Sequence, residues 1–451
     1  MWSEYLSLLY FILAISILVV VHEYGHFWAA RRCGVKVLRF SVGFGNPLFS
    51  FRDKLGTEYS VAPIPLGGYV KMLDEREGDV PSDQLSQSFT QKTVLQRNFI
   101  AVAGPVANFI FAILAYWFLF VAGTQGQAPV IGDVLPDSPA AMAGLQAGDE
   151  VIAVDGESTT TWKDVSWQLL PYIGETAEIS VQVSRDNEAA RDFRIKVNQW
   201  LSDTEGPDPL TGLGLTARRV PVPAVVGEVV PDSAALAAGF RTGDRVMAVN
   251  GEALLDWYEW VDVIKASAGA PLLVSVDRSG LGEEIILTPR PRTLEDGTTI
   301  GFAGMAPQAV EFPQEWIRTS HADPVSALFR AFSQTGDLIF LTLDSLWKMI
   351  AGDLSVKNLS GPITIAKVAG ASASGGLESF VQFLALLSVS LGVLNLLPVP
   401  MLDGGHILLN TIESALGKPL PESVQIMALK LGMAVLLSLM IVAFYNDISR
   451  L

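Results

Sequence analysis

The sequence predicts a polytopic α-helical membrane protein: four transmembrane helices, a small membrane-associated β region on the cytoplasmic side, and two α+β repeats. Three observations predict it. Half of the 451 residues are hydrophobic and only 17% are charged, too apolar for an ordinary soluble chain. Four long apolar runs, at 5–30, 99–121, 380–397 and 424–445, are each long enough to cross a bilayer. Between the second and third lies a polar, acidic segment in which a 28-residue stretch recurs.

The first span occupies 1–30. Tyr5 to Val21 carries no charge, and Phe27 to Ala30 is apolar again. No positive region precedes the run and no small-residue cleavage site follows it, so a signal peptide is disfavoured. Residues 28–97 carry ten Lys and Arg, including Arg31, Arg32, Lys36 and Arg39, whereas residues 1–4 carry none. The positive-inside rule therefore puts the 31–97 loop in the cytoplasm and the N-terminus outside. Leu38, Phe40, Val42 and Phe44 alternate with Arg39, Ser41 and Gly43, which is strand periodicity. The run Pro63 to Val70, with Gly67, Gly68 and Tyr69, is further strand and turn material. Such strands could offer an open edge to an extended peptide, or serve as a small structural sheet.

The second span, 98–122, contains Gly104-Pro105 and Asn108. Gly and Pro are tolerated there when neighbours satisfy the backbone, and the lone Asn reads as a helix–helix contact. Residues 122–375 hold 33 Asp and Glu against 18 Lys and Arg. Val130–Glu157 and Val225–Glu252 align at an offset of 95 with 16 of 28 positions identical. That period means tandem domains, 126–220 and 221–310. A capped helix follows Pro136-Asp137-Ser138, and Gly148-Asp149 leads into a strand that leaves through an Asp155-Gly156 hairpin turn. A linker, 311–375, contains apolar residues at helical spacing: Leu328, Phe332, Ile339, Leu343, Leu346 and Ile350. They predict an amphipathic helix on the membrane surface or against the repeats. The third span (376–398), a loop (399–423) and the fourth span (424–446) complete the chain. Four spans return the C-terminus to the outer side and leave the repeats there.

A net charge of −16 argues against nucleic acid as a partner. A single cysteine, Cys33, excludes an internal disulfide and a Cys-based zinc finger. Of four histidines, His321 reads as a surface residue, and His22 and His26 bracket Glu23 in a His-Glu-x-x-His motif. On a helix the two histidines face one way and can grip one Zn²⁺, with Glu23 beside them as base. Ionisable groups within a span are costly and usually functional. A third ligand is needed. Asp403, level with the motif at the cytoplasmic end of the third span, is the first candidate. His406 is the rival, or a group that orients a ligand, and Asp403 could instead be a helix N-cap. Asn395 could hydrogen-bond a substrate backbone or an oxyanion.

HEYGH at 22–26 and NLLPVPMLDGG at 395–405 resemble the signatures of the site-2 protease family of intramembrane zinc metalloproteases. The repeats resemble PDZ domains in permuted order. Their peptide loops would be Gly212, Leu213, Gly214 and Leu215 in one and Ile300, Gly301 and Phe302, after Thr299, in the other. The resemblance spans essentially the whole chain. It implies one Zn²⁺ held by His22, His26 and Asp403, with Glu23 as catalytic base. It implies substrate contacts at Asn395, Pro398, Pro400, Gly67, Gly68 and Tyr69, the last three on a stretch dipping into the membrane. It implies a bacterial inner-membrane location and single-span substrates such as a pre-trimmed anti-sigma factor or a leftover signal peptide. Protein tails would be further partners at the PDZ-like grooves. Two other classes compete: a PDZ-bearing membrane scaffold without chemistry, and a metal transporter.

Overall fold

The structure, a computed structural model, describes residues 2–449 apart from 77, 186–188, 205–206, 295–296, 311–312 and 419. Among the described residues four helices are long and apolar enough to cross a membrane. They are α1 (Trp2–Arg32), α2 (Val94–Ala122), α5 (Leu377–Leu396) and α7 (Glu422–Ser449). Three more helices accompany them: α3 (Pro324–Ala351), α4 (Pro362–Ser374) and α6 (Asp403–Leu416). The protein is thus a polytopic helical membrane protein with β-rich regions. By contact density the chain divides into two units, 1–126 with 134–215 and 318–451, and 127–133 with 216–317.

In the first unit, small residues bring the helices together. A Cβ at Gly25 of α1 would stand 2.2 Å from Ala103 O of α2. At Gly370 of α4 it would stand 2.0 Å from Ser7 Oγ, and at Gly392 of α5, 2.6 Å from the Phe109 ring. Helices in a bilayer gain contact through such close approaches, because lipid is as apolar as leucine. Ala112, Ala115, Tyr116 and Leu119 of α2 form one core with Ala331 and Leu338 of α3 and Ala385, Val389 and Val393 of α5.

The linker helix is α3. It packs lengthwise on α2 through Ala327, Ala331, Thr335 and Leu338, all buried. Phe332, Leu343 and Ile350 are exposed and leave an apolar face outward. The small residues win because they let the backbones approach. The end of α3 is tied to the first repeat, where Lys348 Nζ donates to Pro171 O and Ile173 O at 2.9 and 3.0 Å and pairs with Glu175.

After α1, residues 37–72 fold into a four-stranded sheet: β1 (Val37–Phe44), β2 (Phe49–Arg52), β3 (Glu58–Val61) and β4 (Ile64–Met72). The order is β2-β3-β1-β4, with β4 antiparallel to β1 at one edge. Val35, Val37 and Phe40 pack on Phe27, Ala29 and Ala30 at the end of α1. Phe27 meets Phe40 edge-on at 5.6 Å.

The sequence repeat recurs as a structural one. The first copy has helices Pro139–Ala143 and Trp162–Leu169 and strands Glu150–Val154, Glu157–Ser158, Ala177–Ser184 and Arg191–Val197. The second has helices Ala234–Ala238 and Trp257–Ala266 and strands Arg245–Val249, Glu252–Ala253, Leu272–Arg278 and Leu281–Leu287 in the same order. Ser138 and Ser233 each cap the short helix, and Gly144 and Gly239 each end it with left-handed backbone. Asp149 pairs with Arg185 and Asp244 with Arg278, at 2.6 and 2.7 Å. Burial alone would raise the Asp244 carboxyl, but the Arg278 guanidinium outweighs it and holds it below the usual range. Gly212 and Leu213 end a short helix, and Gly214 O accepts from Leu135 N. Thr299–Phe302 is a strand paired with Arg290–Thr293.

Candidate metal centre

The site is built from α1 upward. A single helix runs through the motif, so His22 and His26 lie one turn apart on one face. Both are buried. Their Nε2 atoms are 3.1 Å apart. Asp403 arrives from the far end of the chain as the first residue of α6. Its Oδ2 is 3.2 Å from His22 Nε2 and its Oδ1 is 3.4 Å from His26 Nε2.

The turn that delivers Asp403 explains its glycines. A Cβ at Gly404 would stand 2.2 Å from Leu396 O, and one at Gly405, 2.4 Å from Val399 O. Met401 just before them has φ 104°, a left-handed value unfavourable for a side-chain-bearing residue. Strain of this kind persists where surrounding structure over-determines it, often at functional sites.

The fit to a metal can be judged from three features. Donors about 2.0 Å from a tetrahedral zinc stand about 3.3 Å from one another, and these three pairs lie at 3.1, 3.2 and 3.4 Å. Asp403 Oδ2 is buried without a hydrogen-bond partner, which a cation would remedy. Gly104 of α2 leaves the histidines room, since a Cβ there would stand 2.3 Å from His26 Nε2 and 2.8 Å from His22 Cε1. Among the described residues, His22, His26 and Asp403 form the one group of this kind. His406, the rival ligand, lies outside it.

Glu23 is half-buried between the histidines and β4. A Cβ at Gly68 would stand 3.3 Å from Glu23 Cγ and 3.0 Å from Val19 Cγ1. So Gly67, Gly68 and Tyr69 lie on the edge strand that passes the motif. Tyr69 stacks on Phe44 at 6.3 Å and accepts from Arg39. Asn395 is half-buried near the end of α5, and Pro398 and Pro400 lie on the segment leading to Asp403.

Sequence reasoning missed what α2 contributes. Ile100 O accepts from His26 Nδ1 at 2.8 Å, which leaves Nε2 free for a ligand bond. Asn108, read as a plain helix contact, is fully buried with its amide 3.2 Å from His22 Nδ1. Ile100, Gly104 and Asn108 are spaced by four, one stripe on one face. That spacing was a signal available in the sequence.

The model described as Peptidase family M50 matches residues 10–439. The chain is 44% identical over 454 residues to "Protease RseP" of Yersinia pestis, covering 100% of both chains. It is 43% identical over 441 residues to "Regulator of sigma-E protease RseP" of Escherichia coli (strain K12), covering 98% of each. It is 43% identical over 442 residues to "Putative zinc metalloprotease" of Vibrio cholerae, again covering 98% of each. The chain therefore belongs to peptidase family M50 and is an intramembrane zinc metalloprotease.

Proposed function

We propose that His22, His26 and Asp403 hold one zinc per chain and that Glu23 is the catalytic base for cleavage in or near a substrate's transmembrane segment. The observation that carries this reading is the convergence of two buried imidazoles and one carboxylate, all within 4.8 Å, beside Glu23. Zinc supplies a Lewis acid and an acidified water there. Glu23 takes a proton from the attacking water as its oxygen bonds to the peptide carbonyl carbon. As the C–N bond breaks, Glu23 returns the proton to the departing amine. Glu23 stands against β4, where a Cβ at Gly68 would come within 3.3 Å of its Cγ.

A helical substrate hides its carbonyls in hydrogen bonds and must unwind before attack. The outer edge of β4 supports a role as the holder of the unwound stretch, by strand addition alongside Gly67, Gly68 and Tyr69. Asn395, Pro398 and Pro400 would line the opposite approach. The substrate class is single-span membrane proteins: a pre-trimmed anti-sigma factor, and remnant signal peptides. The two repeats act as PDZ-like domains that exclude bulky ectodomains or hold protein tails. The chain lies in the bacterial inner membrane, with the repeats and both termini periplasmic and the metal toward the cytoplasm, as the charge of the 31–97 loop supports.

The test is cleavage of a model single-span substrate, full-length and pre-trimmed, by wild type and Glu23→Gln. Trimmed substrate should be cut by wild type alone, and full-length substrate more slowly. Equal cleavage by both proteins would rule out the mechanism, and equal rates on both substrates would rule out the filter.

A further inference from the structure

We propose that Asn108 is a positioning residue: its side-chain oxygen accepts from His22 Nδ1–H and so fixes the tautomer and ring orientation of that ligand. This rests on the reading that His22 is a ligand through Nε2. His22 Nε2 faces His26 Nε2 at 3.1 Å and Asp403 Oδ2 at 3.2 Å, so the ring must keep Nε2 free of a proton. The proton then sits on Nδ1 and needs an acceptor. The Asn108 amide is the group at Nδ1, 3.2 Å away, and is fully buried in mid-span. The nitrogen of that amide stands toward the ring, while Asn108 Oδ1 is buried without any partner. The oxygen and nitrogen ends of an amide are told apart by their hydrogen bonds alone. Turning the amide over gives Nδ1–H its acceptor and gives the orphaned oxygen its donor.

Two further observations bear on this. His26 is served in the same manner from the same helix, its Nδ1 bonding to Ile100 O at 2.8 Å. Asn108 is itself pinned, because Ser388 Oγ of α5 donates to its backbone oxygen at 2.9 Å. One face of α2 thus orients both imidazoles, with a backbone oxygen for His26 and a side-chain oxygen for His22. The bland role, glue between helices, would leave the buried oxygen unpaired.

The experiment is zinc loss from the purified full chain to a competing chelator, for wild type, Asn108→Leu, Asn108→Asp and His22→Ala. Asn108→Leu keeps the volume and removes the acceptor. It should weaken zinc binding by about 10- to 100-fold, the usual effect of losing a ligand's orienting partner. Asn108→Asp keeps an acceptor at Nδ1 and should stay within about threefold of wild type. Wild-type affinity in Asn108→Leu would overturn the proposal. So would an Asn108→Asp protein that loses zinc as readily as His22→Ala, and that comparison decides the matter if Asn108→Leu does not fold. If His22→Ala itself keeps full zinc, the ligand reading fails. If only the Asn108 comparison fails, the ligand set stands and this inference alone falls.

Discussion

Two spans, α2 and α7, differ by one residue in length, 29 against 28. The apolar window of α7 is the more hydrophobic, yet only 11% of it is buried, against 50% for α2. The difference lies in what interrupts the apolar run. In α2, Gly104 makes room for two imidazoles, Asn108 meets His22, and Arg97 pairs with Glu413 of α6 at 3.1 Å. In α7, Gly432 approaches Pro400, Gln425 donates to Leu420 O near the start, and the remaining polar contacts to other elements gather at the far end. Asp447 there accepts from Gly361 N, Ile363 N and Thr364 Oγ, and so caps α4. Hydropathy says that a segment can cross a membrane; small and polar residues say what it does there. By that measure α2 is the template of the site, holding the two histidines directly and the helix of Asp403 through a half-buried ion pair.

The largest effect should come from Gly104→Ala. A Cβ 2.3 Å from His26 Nε2 cannot be accommodated without moving that imidazole. Zinc affinity should fall by about a hundredfold, read by chelator competition. Unchanged affinity would break the contrast between the two spans. Arg97→Met comes next. It leaves Glu413, whose side chain is 15% exposed, with the Leu420 N–H alone, and should cost about 2 kcal/mol in denaturant unfolding in micelles. A smaller cost is expected from Asp447→Ala, about 1–2 kcal/mol for the lost cap. Zinc content should be unchanged. The smallest effect belongs to Leu437→Ala in the middle of α7. Leu437 is 55% exposed, so the change in stability should stay within about 0.5 kcal/mol. A cost as large as that of Arg97→Met would show that α7 packs as α2 does.

These contrasts mark what was legible in the sequence. His22, Glu23 and His26 could be read because the spacing that grips a metal is local to one helix. Asp403 could be named because it follows a span running parallel to the first, although spacing alone left His406 in contention. The geometry of the Gly404-Gly405 turn, which aims Asp403 at the histidines, depends on carbonyls of Leu396 and Val399 and could not be read from spacing. Asn108 was visible as a polar residue in a span, but its partner lies 86 positions away. The helix of α3 was legible and its packing face was not. Periodicity weighs Phe332 and Leu343 above Ala327 and Ala331, whereas contact between membrane helices favours the alanines. In the repeats, the offset of 95 carried over to the caps Ser138 and Ser233 and to the strands that open at Glu150 and Arg245, because these are set by local sequence, whereas the arginine partners of Asp149 and Asp244 lie 36 and 34 positions on.

The central claim is that two distant stretches, one in α1 and one at the start of α6, share one zinc with Glu23 beside it. The most direct measurement is zinc per chain, taken together with substrate cleavage, in purified wild type, Glu23→Gln and Asp403→Ala. The account predicts one zinc per chain in wild type and in Glu23→Gln, cleavage by wild type alone, and loss of both zinc and cleavage in Asp403→Ala. An Asp403→Ala protein that retained full zinc and full cleavage would contradict it.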